Sequence, residues 1–120
     1  MSTRPDRPNL EVEQTEAGVV ARLVGSNSLD EQTTHVVSQQ VLGLADELGA
    51  AALLLDLGGV HYLTSTALGM LVTLHTRLRD AGGHLTLLGV NDDAYEVFHT
   101  TRLTGLLDVR RQDSPGPAEM

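Results

Sequence analysis

The spacing of apolar residues changes from stretch to stretch along this chain, and each spacing predicts an element. Leu10 to Gln14 runs Leu-Glu-Val-Glu-Gln, the period of two expected of a strand with one wet face. Thr15-Glu16-Ala17-Gly18 reads as a turn, and the valine-rich run Val19 to Val24 stops at Gly25. An antiparallel hairpin is expected. Ser28-Leu29-Asp30-Glu31 matches a capping box, in which a serine oxygen and a glutamate side chain satisfy the free amides of a helix start. Val37, Val41, Leu44, Ala45 and Leu48 then fall on one side at helical spacing, with Gly49 placed to end the helix.

Ala52 to Leu57, Ala-Leu-Leu-Leu-Asp-Leu, is nearly all apolar, which predicts a central strand covered on both faces. A Gly58-Gly59 loop and the short stretch Val60 to Leu63 lead to a second amphipathic helix, marked by Leu68, Leu71, Val72, His75 and Leu78 and closed by Gly82-Gly83. His84 to Val90 is another apolar strand. Asn91-Asp92-Asp93 places a capping side chain and two carboxylates where a helix dipole favours them, opening a third helix that carries Ala94, Val97 and Phe98. Leu106 to Val109 adds a short edge strand. Residues 1–9 read as a flexible N-terminus and Arg110 to Met120 as a disordered tail, leaving one domain over 10–109. The order β-β-α-β-α-β-α, with a last strand, predicts a compact α/β fold: a mixed sheet with a leading antiparallel hairpin, then alternating strands and helices, faced by helices.

Composition narrows the chemistry. A chain of 120 residues is one ordinary domain, and with 2% aromatic content its core must be built from Leu, Val and Ala. The absence of cysteine removes disulfides, thiolate metal sites and cysteine nucleophiles, and fits a reducing compartment. No apolar run reaches the length of a membrane span and no signal sequence is evident, so a cytoplasmic protein without direct membrane insertion is expected. The formal charge is −8, every basic residue is arginine, and no basic run offers a phosphate-tracking surface, which argues against nucleic acid.

The mouth of an open α/β sheet lies at the carboxyl ends of its strands, which places Leu57 to Thr66 there. Thr64, Ser65 and Thr66 stand at the start of the second helix, where free amides and the dipole favour an anion, although a helix cap is wanted there in any case. Two catalytic readings of this region are weak. Asp56, His61 and Ser65 invite a triad, but no Gly-x-Ser-x-Gly elbow exposes a nucleophile. Leu54-Leu55-Asp56 suggests a phosphoaccepting aspartate, but the chain has no lysine to accompany it. His35, His75, His84 and His99 show no ligand spacing, so neither a metal nor any other cofactor is called for.

The run Leu54-Leu55-Asp56-Leu57-Gly58-Gly59-Val60-His61-Tyr62-Leu63-Thr64-Ser65-Thr66-Ala67-Leu68-Gly69-Met70-Leu71 resembles the signature of STAS domains, specifically bacterial anti-sigma factor antagonists. The likeness extends over Leu10 to Val109. It implies a non-enzymatic binding protein whose partner is an anti-sigma factor of the serine kinase type, with Ser65 at the position that the kinase phosphorylates. The family pattern is Asp-Ser-Ser/Thr-Gly; here Thr64 replaces the aspartate and Ala67 the glycine, and Thr64 and Thr66 are alternative acceptors. Tyr62, Leu63, Thr64, Ser65, Thr66, Met70 and Leu74 are expected to meet the partner, the last two because they lie off the Leu68, Leu71, Leu78 face. The resemblance also admits a non-phosphorylated scaffold or an accessory subunit of a lipid-transport ATPase, and leaves a homodimer open.

Overall fold

Alternation of buried and exposed side chains along the strands decides which face of the sheet meets the helices. The computed structural model describes residues 9–16, 18–25, 27–48 and 51–112. Strands β1 (Asn9–Thr15) and β2 (Gly18–Val24) form the expected antiparallel hairpin. There follow β3 (Ser28–Leu29), α1 (Glu31–Leu48), β4 (Ala52–Asp56), β5 (Tyr62–Leu63), α2 (Ser65–Asp80), β6 (His84–Val90), α3 (Asp92–Thr100), a short 3-10 turn at Leu103–Gly105 and β7 (Asp108–Arg111). Five strands form one sheet in the order β1-β2-β4-β6-β7, every pairing beyond the hairpin being parallel. A separate two-stranded ribbon joins β3 to β5.

Val19, Ala21 and Leu23 of β2, Leu53 and Leu55 of β4, and Leu85 and Leu87 of β6 are buried beneath α1 and α2. Their alternates Val20, Leu54, Thr86 and Leu88 are only half-buried. The sheet is therefore covered on one face, and β4 is central in the sheet without being covered on both sides as its apolar run suggested. Helix α3 packs instead against β5, β7 and the 3-10 turn, at the rim. Phe98 on α3 is the one aromatic among the buried hydrophobic residues described.

Three boundaries differ from expectation for identifiable reasons. Ser28 does not cap α1, because its backbone is taken by pairing with Tyr62. The cap is Asp30, whose Oδ1 accepts from the Thr33 amide at 2.8 Å; this hydrogen bond is the largest influence lowering the Asp30 pKa. The last strand, expected over Leu106 to Val109, begins only at Asp108 because Leu106 and Leu107 close the 3-10 turn, and Arg110 and Arg111, expected as tail, extend it; the remainder of that tail beyond Gln112 lies outside the described residues, as do residues 1–8 and Gly49. Asn9 is already strand, opposite Val24. The closing of α2 is as expected: Gly82 adopts φ +89°, and the Gly83 amide returns to Leu78 O at 2.7 Å.

Two consequences for stability follow from this frame. Gly43 lies inside α1 with nothing within 4 Å of where a Cβ would stand. Gly43→Ala is expected to stabilise the fold by about 0.5–1 kcal/mol, read as a rise of roughly 2–6 °C in Tm by calorimetry. On the open face, Asp108 meets Arg110 at 2.7 Å, His84 at 3.1 Å and Thr86 at 3.3 Å. The Arg110 hydrogen bond leads in holding the Asp108 carboxyl at about 2, below the ordinary 3.8. A depressed folded-state pKa gives stability that is present above the unfolded value and lost as pH falls through the folded one. Urea titrations between pH 5 and pH 2 should therefore show a declining acid limb that Asp108→Asn flattens. The expected difference is about 1 kcal/mol, discounted for solvent screening because Arg110 is 64% exposed.

Candidate functional site

The β4–α2 connection leaves the carboxyl end of the central strand and is held at every turn. The Leu57 amide donates to Leu88 O at 2.9 Å, and the Val60 amide closes a turn on Leu57 O at 2.9 Å. The His61 amide donates to Asn27 O at 2.8 Å, and the Thr64 amide to Leu29 O at 3.1 Å. Asn91, 8% exposed, donates through Nδ2 to Val60 O at 2.6 Å while its Oδ1 accepts the Ala94 amide at 3.1 Å. One side chain thus caps α3 and anchors the loop. The β3–β5 ribbon and Asn91 together leave little backbone freedom before Ser65.

Thr64 is the N-cap of α2. Its Oγ1 accepts from the Ala67 amide at 3.3 Å and donates to Leu29 O at 3.1 Å. The hydroxyl is thereby used in both directions. Ser65 and Thr66, the first two residues of the helix, are exposed. Ahead of them Tyr62 is 67% exposed and Leu63 is half-buried. The outer part of the sequence-derived contact set, Tyr62 to Thr66, therefore forms one continuous surface stretch.

Met70 and Leu74 do not join it. They are 7% and 0% exposed, and their assignment to a partner surface is corrected. Helix α2 packs against both the sheet and α1, so its buried stripe is Ala67, Met70, Leu71, Leu74 and Leu78. Leu68, taken as a core marker from spacing, is only half-buried. Spacing alone sets the stripe about one residue off, because several apolar residues outside it make its centre ambiguous.

The carboxylate and imidazole of the weighed triad point to other work. Asp56 Oδ1 accepts from the Gly58 amide at 2.9 Å, and its Oδ2 lies 3.4 Å from Arg22 Nε. Gly89, at φ +67°, sits against this turn, where a Cβ would come within 2.8 Å of Asp56 Oδ1. Asp56 is a turn-former locked from two sides. His61 Nδ1 instead lies 3.4 Å from Asp93 Oδ2 on α3. Among the described residues no hydrogen bond links Asp56, His61 and Ser65, and no group of three or more His, Asp or Glu side chains is arranged to hold a metal ion. No helix among them is long and apolar enough to cross a membrane.

Comparison with known proteins bears on the family and the fold. The chain is 26% identical over 108 residues to the anti-sigma-B factor antagonist of Bacillus subtilis (strain 168), covering 90% of this chain and 95% of that protein. The crystal structure of an anti-sigma factor antagonist from Mycobacterium paratuberculosis superposes with a TM-score of 0.74 at 20% identity, covering 98% of this chain and 94% of the other. The phosphorylated form of the Bacillus cell fate determinant SpoIIAA superposes at 0.62 and 16% identity, over 93% and 100%. The STAS domain family matches residues 9–112, from the first residue of β1 to the end of β7 and one residue beyond. With hairpin, helix order and the loop entering α2 all accounted for, the chain belongs to the STAS domain family.

Proposed function

We propose that this protein is an anti-sigma factor antagonist: it docks the surface Tyr62 to Thr66 on a partner anti-sigma factor, and phosphorylation of Ser65 by that partner releases it. The observation that carries the reading is exposed Ser65, presented at the first position of α2 behind a hydrogen-bonded loop and three residues after an exposed tyrosine. A rigid loop loses little conformational entropy on docking. The B. subtilis relative, an antagonist of an anti-sigma factor by name, and the phosphorylated SpoIIAA structure support extending both properties to this chain.

Geometry also ranks the three hydroxyls. Thr64 is spent on Ala67 and Leu29, and removing it would uncap α2, so it is the poorest acceptor. Ser65 is exposed at the first helical position, where the dipole tolerates added negative charge. Thr66 is the second choice. Incubation with the cognate kinase and ATP, followed by intact-mass and peptide-level mapping, is expected to place a single phosphate on Ser65. A phosphate on Thr64, or none under conditions where the kinase modifies other substrates, would sink the phosphorylation half of this reading.

A further inference from the structure

Beside the Ser65 surface runs a second feature, one wall of which lies on α3, outside the signature run Leu54 to Leu71. Between β5 and α3 lies an open groove of about 470 Å³, lined by His61, Tyr62, Leu63, Val97 and the acidic residues of α3. Its floor is apolar, through half-buried Leu63 and Val97. Tyr62 forms one wall and is the most exposed large hydrophobic side chain among the described residues; the others, Val12, Val36 and Leu106, lie on β1, on α1 and ahead of β7. Asp92, Asp93 and Glu96 form the opposite rim on a helix that contains no Lys or Arg. Asp92 and Asp93 meet Arg111 at 2.8 Å and His61 at 3.4 Å, but their side chains remain 84% and 72% exposed, so solvent keeps both pairs weak and exchangeable.

An apolar floor with a tyrosine wall and a carboxylate rim is complementary to one kind of occupant. A tyrosine at the edge of a groove supplies large contact area with little rotamer entropy to lose, which is why tyrosine is common among residues that dominate binding. Carboxylates on the rim select by charge and steer encounter, and the chain's net charge of −8 acts in the same direction. We propose that this groove docks a basic amphipathic segment of the partner protein, seating an aliphatic side chain between Tyr62 and Val97 and laying Lys or Arg along Asp92, Asp93 and Glu96. The inference rests on the docking reading above and is independent of whether Ser65 is phosphorylated.

The test uses the isotopically labelled full chain and two synthetic 18-residue amphipathic helices, one of leucine and lysine, the other of leucine and glutamate. The lysine peptide is expected to shift the amides of Tyr62, Leu63 and Val97 saturably, and the glutamate peptide to leave them unmoved. Asp93→Asn with Glu96→Gln should weaken the lysine peptide roughly five- to tenfold. The control pair Asp46→Asn with Glu47→Gln on α1 should change it less than twofold. Shifts spread evenly over α1 and β1, or equal weakening by the control pair, overturn the proposal. An anti-sigma factor that binds the wild type while the peptide leaves the groove silent refutes the groove alone. A groove that takes the peptide while no anti-sigma factor binds refutes the function alone.

Discussion

Ser65→Asp is expected to lower affinity for the anti-sigma factor by roughly ten- to a hundredfold, and phosphorylation by more, while Ser65→Ala stays within about threefold of the wild type. A charge brought into a docked surface without a counter-ion loses hydration worth several kcal/mol, and every 1.4 kcal/mol is tenfold in affinity. Aspartate carries one negative charge; a phosphoryl group carries about −1.5 to −2 and three acceptor oxygens, so the mimic is the milder of the two. Alanine removes only an exposed hydroxyl and is compatible with the first turn of α2. Titration calorimetry with the purified partner reads all three forms, and thermal melts of the same samples separate weakened docking from weakened folding. Equal affinity for the alanine and aspartate forms would end the switch hypothesis.

Asn91→Ala should destabilise the fold by about 2–4 kcal/mol, a large effect for a single polar side chain. Losing the α3 cap accounts for about 1 kcal/mol, and stranding the Val60 carbonyl beneath the loop adds about 1–3 kcal/mol. Chemical denaturation gives the total. Asn91→Asp separates the parts: its carboxylate still accepts the Ala94 amide, but it cannot donate to Val60 O and sets negative charge against that carbonyl. If Asn91→Asp is as stable as the wild type, the bond to Val60 contributes nothing. Amide exchange should quicken at Val60 and His61 in both variants, because the anchor between α3 and the Ser65 loop is then gone.

Asn91 also illustrates what the amino-acid pattern discloses and what it withholds. Its place before two acidic residues marked a helix start, and that local role is real. Its second bond, to a carbonyl 31 positions away, has no local signature. The same division runs through the rest of the molecule. The hairpin and the three helices follow from short-range periodicity, the central place of β4 from its apolar run, and the loop at the sheet mouth from its position at a strand's carboxyl end. The β3–β5 ribbon leaves no pattern in the sequence, because two-residue strands have no period. It also displaced the cap of α1, for a backbone paired to Tyr62 leaves Asp30 as the nearest side chain able to reach the Thr33 amide. Burial on both faces of β4 was inferred from four leucines, yet Leu54 is tolerated half-exposed on the open face. The acidic groove required knowing that α3 lies beside β5, a neighbourhood that depends on the whole topology.

Thr64 carries a practical lesson for anyone redesigning this domain toward its family pattern. Aspartate, the usual residue at that position, is an equally good helix cap, so a consensus-guided exchange looks harmless or even favourable. Here it would replace a hydroxyl that donates a hydrogen bond to Leu29 O with a carboxylate that can only accept, turning an attraction between the ribbon and α2 into a repulsion. The threonine and the strand beside it are a matched pair, and a substitution table built one column at a time will score as an improvement a change that works only if residue 29 and its backbone move too.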